Sequence, residues 1–191
     1  MKVLFPVLVS ISGLWFGQQK VPADYKKIPE ILDNPELLYP FVVPDKKYGY
    51  WSVLTNNPDP DKAIIYESQM PDHMTLNDPA PEKGFFQKCI GADCFSYILA
   101  CESGRSTYFS DEKQLRNFIG FIDNLPEAIL LANTYGYMVD TGNPQGSSYK
   151  IEDQHISLYL VRPESLTQTK ESFFIRINRK TGKLEAKGLG R

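Results

Sequence analysis

The chain has 191 residues, a formal net charge of −2 and 42% hydrophobic residues. That length suits one domain with a real core, or at most two very small ones. The near-neutral balance removes any global electrostatic reason to expect nucleic acid as a partner, and the supply of aromatics argues against disorder.

The first residues read as an export leader. Lys2 adds a positive charge to the amino terminus, and residues 3–16 form an apolar run interrupted by Pro6, Ser10, Ser12 and Gly13. A membrane-spanning helix needs roughly 20 apolar residues, so this run suits the core of a signal peptide. Polar Gln18, Gln19 and Lys20 follow at once, and Gly17 supplies a small residue for cleavage after 17 or 18. Trp15 is large where a small residue is expected. The competing reading is a buried N-terminal element of a cytosolic protein. The segment resembles the signal peptides of exported proteins of Gram-negative bacteria, and the resemblance covers the leader alone. It implies residues 1–17 as leader, 18–191 as one folded domain, and a secreted or periplasmic location.

Residues 21–44 carry Pro22, Pro29, Pro35, Pro40 and Pro44, which leave room only for short helical turns near 28–32 and 35–39. Residues 48–54 are aromatic and β-branched and read as a strand. A turn rich in Asn, Asp and Pro at 56–61 returns the chain into a second strand at 63–68. Asn57, Asp59 and Asp61 offer oxygens, but the intervening prolines break the spacing of a calcium loop. Residues 69–83 form a long loop with Pro71, Pro79 and Pro81, a length often tied to function, although a plain connection fits as well.

Strands are expected at 85–89, 94–101 and 106–109. Ser110 then reads as a helix cap, with Leu115, Phe118, Ile119 and Ile122 on one face. A second helix opens on Asn124-Leu125-Pro126-Glu127, the signature of a capping box with proline in the first turn, and Gly136 ends it. A strand at 137–140, a loop at 141–148 and strands at 155–161 and 173–178 follow. A hairpin turn at 178–183 leads into a last strand at 184–187. Strands, then two helices, then strands predict an α+β fold. It should be a mainly antiparallel sheet with a central helix pair, about 111–122 and 125–135, packed on one face.

Export would place the three cysteines in an oxidising compartment. A four-residue hairpin loop at 90–93 sets Cys89 opposite Cys94. Opposed Cα atoms in antiparallel strands lie roughly 4.5–5.5 Å apart, within disulfide range. The expected bridge is Cys89–Cys94, which would stabilise by roughly 2 kcal/mol. Cys101 has the opposite parity to Cys94 and reads as a small buried hydrophobe.

Catalytic signals are weak. His73 has Asp72 beside it and His155 follows Glu152 and Asp153, but no spacing joins either imidazole to Cys101. There is no nucleophile elbow, no His-Glu-x-x-His, no phosphate loop, no dinucleotide fingerprint and no paired metal-ligand spacing. No catalytic, cofactor or metal residues are therefore assigned. The C-terminus is basic through Arg176, Arg179, Lys180, Lys183, Lys187 and Arg191. Protection of an exposed sheet edge accounts for this better than contact with an anionic surface.

The leading expectation is an exported, non-enzymatic binding or interaction domain. Its partner would be a protein or a small molecule, with no nucleic acid, no membrane span and the oligomeric state open. The alternative is a hydrolase or thiol enzyme assembled from His73, His155, Cys101 and nearby carboxylates. A structural subunit packing through its aromatics is a third.

Overall fold

The computed structural model describes residues 20–57, 63–68, 81–85, 95–163 and 169–190. The leader, His73, Cys89 and Cys94 lie outside the described residues.

Strands β1 (Lys26–Lys27), β2 (Tyr50–Thr55), β3 (Ile64–Glu67), β4 (Ser96–Glu102) and β5 (Arg105–Phe109) precede the helices. Helices α1 (Glu112–Ile119) and α2 (Leu125–Thr134) follow. Strands β6 (Ser148–Ile151), β7 (His155–Pro163), β8 (Lys170–Asn178) and β9 (Leu184–Gly188) come last. The fold is α+β and its sheets are antiparallel. The strands divide into two sheets, in the orders β3-β2-β4-β5 and β1-β6-β7-β8-β9. Hairpin neighbours pair locally on either side of the helices, and each group closes its own sheet. The exception is β1, which crosses to pair Lys26 with Tyr149 and Lys27 with Ser148.

Both helix ends are set by local chemistry. Asp111, not Ser110, caps α1: its carboxylate accepts from the Gln114 N–H at 2.9 Å. Ser110 sits one residue earlier and donates its own N–H to Gln114 Oε1 at 2.6 Å. Helix α1 stops at Ile119, short of the expected 122, because Gly120 turns the backbone to φ 70°. In α2 the expected capping box is complete, with Asn124 and Glu127 each bonding the other's backbone N–H. Tyr135 closes α2 and Gly136, at φ 81°, redirects the chain.

The proline-rich segment folds into the short 3-10 turns Glu30–Asp33, Pro35–Leu37 and Tyr39–Phe41. Phe85 bridges Ser96, the described remnant of the expected strand 85–89, and Met138 bridges Val161 where the strand 137–140 was expected. The sequence pattern does not reveal β1 or β6. The first is two residues long, and β6 begins inside the Gly/Ser-rich stretch read as loop.

One buried cluster joins both sheets and both helices. It contains Trp51, Val53 and Ile98 from one sheet, Ile156, Leu158 and Ile175 from the other, and Leu115, Phe118, Ile129 and Leu130 from the helices. Strand β9 is an edge of its sheet and most of its residues are exposed. Lys183 and Glu185 pair across its start at 2.8 Å, so charge does line this edge.

Candidate ligand-binding cleft

Two of the residues named as possible catalysts fall among the described residues, in different sheets. Cys101 lies in β4, 2% exposed, packed with Tyr50 and Leu99. Its thiol neighbour is the Ser106 hydroxyl at 3.7 Å. His155 opens β7, where Nδ1 is 3.2 Å from an Arg176 guanidinium nitrogen and Nε2 is 3.5 Å from the Asn178 amide nitrogen. Neither contact is a carboxylate that would orient a general base. Cys101 therefore behaves as the buried hydrophobe its parity implies. Cys101→Ser should cost about 1–2 kcal/mol, because it buries a hydroxyl against Tyr50 and Leu99 with, among the described residues, only the Ser106 hydroxyl within reach, and Cys101→Ala about 1 kcal/mol. Denaturant midpoints of the two variants measure this.

The basic C-terminal group also divides. Arg179 is half-buried and bonds backbone carbonyls of two other loops, donating from Nε to Ile122 O at 2.9 Å and from Nη2 to Asp123 O at 3.1 Å in the α1–α2 corner, and from Nη1 to Glu152 O at 3.3 Å. Arg176 is exposed and stands beside His155.

A cleft of about 700 Å³ forms where five distant stretches converge. Asp33 and Pro35 come from the 3-10 turns, and Lys83, Gly84 and Phe85 from the described stretch 81–85. Ser110, Asp111 and Glu112 come from the start of α1. Asn133, Thr134, Gly136, Tyr137 and Met138 come from the end of α2 and the turn beyond it, and Pro163 from the end of β7. The convergence follows from the tight α1–α2 corner, which brings the start of α1 beside the end of α2.

Contacts around the cleft hold its walls. The Arg162 guanidinium lies 5.3 Å from the Tyr137 ring centroid and 4.8 Å from that of Phe173, and these two rings meet edge to face at 5.2 Å. Beside the cleft, the Tyr135 hydroxyl donates to Glu112 Oε1 at 2.6 Å and ties the end of α2 to the start of α1. Burial pushes the Tyr135 phenol up to about 12, and the Glu112 carboxylate adds to the shift. Met138 is 48% exposed, a large apolar side chain left open at the lip.

The chemistry of this lining is that of holding: apolar surface, hydroxyls, one amide, three carboxylates and one ammonium. Among the described residues that line it there is no imidazole or thiol. Among the described residues no group of three or more His, Cys, Asp or Glu side chains is placed to bind a metal, and no helix is long and apolar enough to cross a membrane. Sequence reasoning did not find the cleft, and most of the long loop expected at 69–83 lies outside the described residues.

No family model matches the chain, and neither a curated protein nor a solved structure shows significant similarity to it.

Proposed function

We propose that this chain is an exported protein whose folded domain binds a small ligand in the cleft between the start of α1 and the end of α2. The observation that carries the reading is the convergence of five distant stretches on one cleft of about 700 Å³. That volume lies within the range of small-molecule sites, and its mix of apolar walls and a few polar groups is what such sites use. The separation of Cys101 and His155 into different sheets favours binding over a thiol or hydrolase site built from them.

A fragment screen followed by amide NMR tests the reading. Bound fragments should shift the amides of 110–112 and 133–138, and Met138→Trp, which fills the lip, should abolish those shifts. Fragments that bind only elsewhere would overturn it. So would hydrolytic turnover lost in His155→Ala or Cys101→Ala.

Export and the Cys89–Cys94 bridge belong to the same proposal. Expressed at full length in a bacterial host, the exported product should lack the leader. It should take one alkyl group before reduction and three after, and peptide mapping should place the bridge at Cys89–Cys94. A retained leader with three reactive thiols would remove both.

A further inference from the structure

We infer that the cleft accepts a small organic cation, an ammonium or guanidinium group carried on an apolar body. The inference rests on the reading of the cleft as the ligand site and names the class of ligand. Among the described residues that line the cleft, Asp33, Asp111 and Glu112 outnumber the one cation, Lys83, to which no ion pair joins any of them, and the Arg162 guanidinium is held against the Tyr137 ring. The apolar walls are Pro35, Phe85, Tyr137, Met138 and Pro163. A ligand that satisfies both must be positive at one end and apolar at the other.

Two of the carboxylates stand at fixed places. Asp111 spends one oxygen on the N–H of Gln114, which pins its side chain at the start of α1. Glu112 accepts the Tyr135 hydroxyl through Oε1. Each acid has a second oxygen for which no partner is found among the described residues.

The helix dipoles point the same way. The end of α2 brings Asn133 and Thr134 to the cleft, and the last turn of a helix carries partial negative charge. The start of α1 carries the opposite sign, which alone would invite an anion. Its own Asp111 and Glu112 occupy that end, so an anionic ligand would meet two carboxylates there.

Three probes with one apolar body test the charge: 2-phenylethylamine, 2-phenylethanol and 3-phenylpropanoate, each titrated against the protein by amide NMR. The amine should saturate the shifts of 110–112 and 133–138 at about tenfold lower concentration than the alcohol, and the carboxylate should leave them unmoved. Raising the salt should narrow the gap between amine and alcohol. Asp33→Asn with Glu112→Gln should cut the amine's advantage to less than about threefold. Glutamine at 112 keeps an acceptor for the Tyr135 hydroxyl and Asp33 is exposed, so the fold is expected to survive. Asp33→Asn alone, expected to lose part of the advantage, serves if the double variant does not fold. Equal binding of amine and alcohol in the cleft, or a preference for the carboxylate, would overturn the cationic assignment and leave the cleft as a ligand site. Absence of cleft shifts with all three probes would remove both.

Discussion

Glu127→Ala is expected to lower stability by about 3–5 kcal/mol, the largest effect of any single polar substitution proposed for this domain. Glu127 is fully buried, yet both its carboxylate oxygens are used. Oε1 accepts the Val43 N–H at 2.7 Å, and Oε2 accepts the N–H groups of Asp123 at 2.6 Å and Asn124 at 3.3 Å. Two of these donors lead into α2, the N-cap Asn124 and Asp123 before it. The third belongs to the proline-rich segment 84 residues earlier in the chain. Alanine would leave three backbone donors without an acceptor in the interior, each costing about 1–3 kcal/mol if water does not reach it. Glu127→Gln should cost about 2–3 kcal/mol, because its amide nitrogen would face a backbone N–H where an oxygen is needed.

The two effects separate by pH. Burial raises the Glu127 carboxyl above the ordinary 4.5, and the backbone donors at Val43, Asp123 and Asn124 only partly oppose this. A carboxyl raised by folding binds its proton more tightly in the native state. Its contribution is therefore full below the unfolded value and is lost as pH rises through the folded one. The stability gap between wild type and Glu127→Gln should be widest at pH below 4.5 and narrow above it, over the window between the ordinary and the raised value. Urea denaturation of both proteins across that range measures the gap. A gap that widens with pH would mean that the backbone donors outweigh burial.

What could be read from the sequence was what short-range chemistry decides. Asn124-Leu125-Pro126-Glu127 announced a capping box, and the box is present with both bonds made. Gly182 was expected in the last hairpin turn and adopts φ 64° there. The alternation of Ile156, Leu158 and Leu160 marked a face that is fully buried. Each of these depends on residues within a few positions of one another. The features that escaped depend on distant partners. The capping motif reveals the carboxylate's bond to Asn124 but not those to Asp123 and Val43. Strand β1 exists only because β6 lies beside it, and neither has a pattern strong enough to stand alone. The cleft is made of residues from 33 to 163 whose types are ordinary in their local settings. Nothing about Asp33 or Met138 sets it apart until the chain brings them to one place.

Arg179 is the second residue whose loss should be felt across the fold, and it shows how a charge count misleads. Counted in sequence, it is one of six cations near the C-terminus. In the structure it is a clasp that ties its own turn to two other loops. Nε donates to Ile122 O at 2.9 Å, Nη2 to Asp123 O at 3.1 Å, and Nη1 to Glu152 O at 3.3 Å and Asp153 O at 3.5 Å. The guanidinium also lies 4.8 Å from the Phe121 ring centroid. The backbone of Arg179 repeats the link, accepting from Ile122 N at 2.8 Å and donating to Gln154 O at 2.9 Å. The α1–α2 corner, the β6–β7 turn and the β8–β9 turn are thus held at one residue. Arg179→Ala should cost about 2–4 kcal/mol, since the backbone bonds remain but the carbonyls at 122, 123, 152 and 153 lose their shared donor. Arg179→Lys should recover less than half of that. A single ammonium on a flexible stem cannot span both accepting loops, whereas the planar guanidinium presents its donors in a fixed fork. At about 2–4 °C per kcal/mol for a domain of this size, Arg179→Ala should melt about 5–15 °C lower. A lysine variant as stable as wild type would show that charge near these carbonyls suffices. An alanine variant within about 0.5 kcal/mol of wild type would show that the backbone links alone hold the corner, and the clasp would then be a contact of small consequence.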